Sequence, residues 1–139
     1  METSEALDVI GGLVSALKLY ASKLPEVSPV VGPSGLKPAP EAAATYEQMV
    51  YRFRKQSGAS AFRRLNEPLI ESLEAFESGW VLRAVQALLR SLDQLELMKR
   101  EQEITIVQRE EERLREYRAT LHKIMPGNEP ELAGAGKGM

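Results

Sequence analysis

The sequence contains no cysteine. A disulfide framework, a thiol nucleophile and a thiolate metal site within the chain are therefore excluded, and the composition fits a reducing compartment. Histidine occurs once, at His122, which excludes a histidine-rich metal centre built by one chain. Neither sign of charge dominates. With a formal net charge of -2 at pH 7, the whole chain is not an electrostatic glove for nucleic acid, and only local patches need weighing. The most apolar segment, Thr3 to Leu24, is barely of spanning length and is interrupted by Asp8 and Lys18, so no membrane span is expected. It also lacks the strongly basic face of an interfacial helix. The first residues carry Glu2, Glu5 and Asp8 where a secretory signal has a basic region. The expectation is a cytoplasmic protein or a component of a macromolecular assembly.

The chain of 139 residues, with a hydrophobic fraction of 43%, suffices for one domain with a modest core. Proline and glycine are also missing from Trp80 to Ile124, and this stretch organises the reading of the rest. Val81, Val85, Leu88, Leu92 and Leu95 open a stripe at helical spacing, and Leu114, Tyr117, Leu121 and Ile124 close it. Ile104 to Val107 is β-branched throughout but is flanked by no turn residues, so it too reads as helix. A continuous helix over 80–125 would be a rod of roughly 65 Å. A domain of this length has a radius of gyration of only about 14 Å. Part of the rod then needs cover from outside the chain, and between Leu95 and Leu114 an eleven-residue spacing through Ile106 favours a straight stretch over a uniform coiled coil.

Ahead of the rod, residues 1–24 read as an amphipathic helix with Leu7, Ile10, Val14 and Leu17 on one face. Gly11 and Gly12 weaken its middle by about 1 kcal/mol each unless a neighbouring helix packs closely there. Residues 25–41 form a proline-rich linker, either pinned along the surface or reaching a neighbouring subunit. Helix resumes over Ala42 to Lys55 and again from Ser60. Pro68 then either starts a fresh helix capped by Asn66 or bends a continuous one. Residues 126–139 read as a flexible tail. The expected fold is all-α, an elongated helical hairpin or open helical bundle with a long C-terminal helix and a helical domain over 42–125.

Arg52, Arg54, Lys55, Arg63 and Arg64 make the densest basic stretch, with no acid among them. Such a cluster can clamp phosphates, or it can be a solvated or protein-contacting face. Glu67, Glu71 and Glu74 share a helical face, yet no Glu-x-x-His pattern accompanies them, and an acidic surface is the expectation. His122 has no evident catalytic companion. Gly134, Gly136, Lys137 and Gly138 lack the preceding strand of a phosphate loop. No catalytic residues, metal ligands or cofactors are expected. The sequence points to a non-enzymatic structural or adaptor protein that forms a homo-oligomer or hetero-assembly through helices. Its expected partner-helix interface is Leu7, Ile10, Val14, Leu17, Trp80, Leu95, Ile106, Leu114, Tyr117 and Leu121. The alternative is a small helical nucleic-acid-binding regulator using residues 52–64.

Overall fold

Leu7, Ile10, Val14 and Leu17 do share one face of a helix, α1 (Thr3–Ser22), and all four are buried. Its first turn is closed by Glu5, whose carboxylate accepts the Glu2 backbone N–H at 2.7 Å. The computed structural model describes residues 1–22 and 37–124; residues 25–36 of the linker expected over 25–41, and the tail expected over 126–139, lie outside them.

Helix α2 (Pro40–Ser57) starts on a proline, whose missing N–H costs nothing at that position, and ends where Gly58 takes a φ of 50°. A 3₁₀ helix (Ala61–Leu65) leads into α3 (Asn66–Glu77). Pro68 sits in the first turn of α3, so it begins a fresh helix instead of bending a continuous one. Leu65, not Asn66, occupies the capping position. Gly79 then turns the chain with a φ of 79° while Trp80 N–H donates to Ala75 O and Gly79 N–H to Phe76 O. This is the paired hydrogen-bond closure of a helix end around a left-handed residue. Ser78 thus closes α3, and Trp80 precedes α4 (Val81–Arg100).

The long helix expected over 80–125 is two helices. The chain leaves α4 at Arg100 and forms α5 over Gln108–Ile124. The α4 end repeats the closure seen at α3, with Gln102 N–H donating to Lys99 O and Glu103 N–H to Met98 O, both at 2.9 Å. Here, however, the left-handed position belongs to Gln102, with a φ of 63°. A side chain in that conformation costs about 1–2 kcal/mol relative to the right-handed one. On the far side, Glu110 Oε1 accepts the Val107 N–H at 3.0 Å, which is half of a capping box with no hydroxyl at the cap to return the bond. Thr3 Oγ1 donates to Thr105 O at 2.8 Å and ties the connection to the start of α1.

Substituting Gln102→Gly is expected to stabilise the fold by up to about 1 kcal/mol, because the left-handed strain exceeds the extra backbone entropy glycine loses. Inside a continuous helix the same change costs about 1 kcal/mol. The direction of the thermal midpoint shift therefore tells the turn from the rod.

Among the described residues there are five α-helices and no strand. Consecutive helices pack against one another, α5 returns onto α1, and α1 also meets α4. The bundle consequently closes on itself. One core runs through it, from Leu7 and Leu17 through Tyr46, Phe53, Leu69 and Phe76 to Leu88, Leu95 and Leu121. The close approach that the sequence required at Gly11 is made by α5. A Cβ there would stand 2.8 Å from Tyr117 Cζ and closer still to its hydroxyl.

Charges finish the α5 interface. Arg113 pairs with Asp8 at 2.6 Å, and Arg118 with Asp93 and Glu96 at 2.7 and 3.1 Å. Lys99 pairs with Glu111. Glu96 and Glu111 thereby bridge α4 to α5. Exposed pairs of this kind contribute a few tenths of a kcal/mol each, and act more on orientation than on stability.

Candidate functional site

The ten residues expected to face a partner helix do not form an outer surface. Leu7, Ile10, Val14, Leu17, Leu95, Ile106, Leu114 and Leu121 are buried in the chain's own core, and Trp80 and Tyr117 pack against it half-buried. The correction follows from the turn at 101–107, which brings the second half of the stripe back onto α1. Ile104 to Val107, expected to be helical, belongs to that turn, with Ile106 buried in the core. Trp80 is instead engaged from outside by Arg83, whose guanidinium carbon lies 4.3 Å from the ring centroid.

An apolar surface does remain, on the side of α1 away from the core. A groove of about 610 Å³ runs between α1 and α2. From α1 it is lined by Gly12, Ser15, Ala16, Leu19 and Tyr20, and from α2 by Ala42, Thr45 and Met49, with residues 37–39 at one end. Leu19 is 59% exposed, far more than a leucine inside a core. Its neighbours are small because the helices approach closely: a Cβ on Gly12 would lie 2.7 Å from Met49 Sδ. Tyr20 packs edge-on against Phe76, with ring centroids 5.4 Å apart. Its hydroxyl is shielded from solvent with no hydrogen-bond partner among the described residues, and burial raises its pKa.

The basic stretch is divided. Arg64 turns toward the α4–α5 connection, where it pairs with Glu101 at 3.2 Å and Glu103 at 2.5 Å. Arg52, Arg54 and Lys55 lie exposed at the end of α2, and Arg63 lies exposed on the 3₁₀ helix. These four make no ion pair with an acid among the described residues. The tight turn between the two elements, in which Ser60 donates through both N–H and Oγ to Ser57 O, holds Arg63 close to the α2 end. Tyr51, not singled out from the sequence, stands 48% exposed among them. The available signal was its position in a run from Gln48 to Asn66 that holds five cations and no acid.

Acids gather at the other end of the α2–α3 pair. Glu77 has its pKa raised, by desolvation first and then by the negative charges of Glu47 and Glu74. Of the acidic face read from the sequence, Glu67 and Glu74 are exposed and Glu71 pairs with Arg90. Among the described residues no three His, Cys, Asp or Glu side chains come together in a way suited to a metal ion. No helix among them is long and apolar enough to cross a membrane. His122 is exposed near the end of α5.

The buried hydroxyls serve the fold. Tyr46 OH and Ser72 Oγ are 2.5 Å apart in the core, and Ser72 Oγ donates its hydrogen to Ala84 O at 3.0 Å. Tyr46 must therefore be the donor to Ser72. Ser57 and Ser91 donate to backbone carbonyls three residues earlier, Arg54 O and Leu88 O. Comparison with known proteins matches this chain to no protein family, no curated protein and no solved structure.

Proposed function

We propose that the chain is a non-enzymatic structural adaptor that pairs with a second copy of itself through the α1–α2 groove. The observation carrying this reading is that one patch bears both a projecting apolar side chain, Leu19, and a hollow between small residues, Gly12, Ser15, Ala16, Ala42 and Thr45. A two-fold interface needs that self-complementarity, because each copy must offer what the other accepts. Pairing would take the 59% of Leu19 that is exposed out of water, a gain of about 1–2 kcal/mol. The reading without enzyme chemistry is supported by the use of the buried hydroxyls of Tyr46, Ser57, Ser72 and Ser91 in internal hydrogen bonds.

Light scattering after size exclusion, run over a concentration series, tests the proposal. The expected result is a species of twice the 15.4 kDa chain mass that dissociates on dilution. Leu19→Asp is expected to leave a folded monomer, since position 19 is already exposed and a carboxylate there faces water unless a second copy covers it. A monomer at every concentration, or a dimer indifferent to Leu19→Asp, would overturn the groove as the pairing surface.

A further inference from the structure

The α1–α2 groove does not involve the outward side of α2's last two turns, where Arg52, Arg54 and Lys55 lie with no acidic partner among the described residues. Helix geometry places Tyr51 in the middle of that side, with Arg54 on one flank and Lys55 and Arg52 on the other, at 100° per residue. Arg63 extends the same end of the molecule through the tight turn at 58–60.

Part of this arrangement has a structural reason. Arg54 and Lys55 stand in the last turn of α2, where positive charge complements the partial negative charge of the helix end. That reason does not extend to Arg52 or to an aromatic ring left half in water. Arg64 shows what the fold does with a cation it uses: the guanidinium is held by Glu101 and Glu103. The other cations engage no acid among the described residues. They surround a flat π surface of the kind on which an unpaired base stacks, while their charges suit a phosphate chain.

We propose that the outward face at the end of α2 binds single-stranded nucleic acid, with a base stacked on Tyr51 and the phosphate backbone held by Arg52, Arg54, Lys55 and Arg63. A single strand is favoured over a duplex because paired bases present no free face to a ring on a helix surface. Nucleic acid is favoured over an acidic protein segment because the exposed tyrosine is central to the patch, and carboxylates alone give it nothing to stack on. The chain's net charge of -2 makes the contact local, with affinity confined to these five side chains and strongly dependent on salt. From α2 the groove uses Ala42, Thr45 and Met49 and the site uses residues 51–55, so no side chain serves both and either holds without the other.

Fluorescence anisotropy with a labelled twenty-nucleotide oligothymidylate, titrated with the full chain over a salt series, tests the inference. With four phosphate contacts, the log of the association constant is expected to fall against log salt with a slope of about -3, at roughly 0.7 per contact. Tyr51→Ala is expected to weaken binding about 5- to 150-fold without changing that slope. Replacing Arg52, Arg54 and Lys55 together by glutamine is expected to flatten the slope by about 2. Arg64→Gln should alter neither quantity. Circular dichroism melts of each variant establish that the fold is retained, as expected for exposed positions. Absence of binding at low salt would overturn the proposal. So would equal binding to polyglutamate or to phosphatidylserine vesicles with no effect of Tyr51→Ala, an outcome that leaves only a general polyanion surface.

Discussion

Replacing Leu114 with alanine is expected to cost about 2–5 kcal/mol of folding stability, and Leu121→Ala a similar amount. Both side chains are buried in the shared core, at 1% and 0% exposure, although only the chain itself is present to cover them. Truncation leaves cavities that neighbouring helices fill only in part, because α5 is held on both sides: Arg113 pairs with Asp8 of α1, and Arg118 with Asp93 of α4. The two leucines are one heptad apart on the same face, about 10 Å along the helix. Their costs should then add to within about 0.5 kcal/mol in the double variant. Urea denaturation followed by circular dichroism measures the shift in midpoint, with mass measured alongside. A folded-back α5 predicts loss of stability whatever the oligomeric state. An unchanged midpoint, accompanied by loss of oligomer mass, would return these residues to a surface between chains.

The amphipathic faces of the individual helices were legible because each rests on local periodicity. Leu7, Ile10, Val14 and Leu17 recur at helical spacing and are buried together, as are Tyr46, Val50 and Phe53 on α2. The all-α class followed from the same signal. The break in the Trp80 to Ile124 stretch was not legible, and its physical reason is specific. The turn is made by Gln102 in a left-handed conformation that glycine usually supplies, and α5 starts from Val107, which has no capping side chain. Neither residue type advertises a turn. In the equivalent closure before α4 the left-handed residue is Gly79, a residue type that does mark a turn.

Two traces of the break were nevertheless present. The apolar stripe loses its phase between Leu95 and Leu114, and Ile104 to Val107 is β-branched in the middle of a charged helix-forming stretch. Both had another physical account, a straightened rod, and local periodicity does not decide between a rod and a hairpin. That choice depends on whether α1 offers a matching surface. Gly11 was the relevant clue, since it leaves room for the Tyr117 ring, but a sequence does not say which helix fills such a gap. Once the hairpin forms, the expected partner interface becomes core. The large side chains left exposed then include Leu19 on the back of α1 and Tyr51 at the end of α2.

At alkaline pH the wild-type chain is expected to lose stability that a Tyr46→Phe variant keeps. Tyr46 is fully buried, and burial drives its pKa far above the ordinary phenol value. The folded state therefore retains a proton that the unfolded chain releases near pH 10. Stability from this group is complete below about pH 10 and falls as pH rises above it, by about 1.4 kcal/mol per unit until the buried hydroxyl ionises. At neutral pH the ranking is reversed. Tyr46 donates to Ser72, and losing that hydrogen bond costs about 0.5–1.5 kcal/mol, while Ser72 keeps its donation to Ala84 O. The two stability curves should then cross near about pH 11, with phenylalanine ahead by more than 1 kcal/mol at about pH 12. Tyr20, also raised by burial, is present in both chains, so the difference between them isolates position 46. Urea midpoints measured from about pH 8 to pH 12 provide the test, the window being set by the ordinary phenol value. Parallel curves that never cross would mean that Tyr46 ionises as readily in the folded chain as in the unfolded one, and that the hydroxyl pair with Ser72 is open to water.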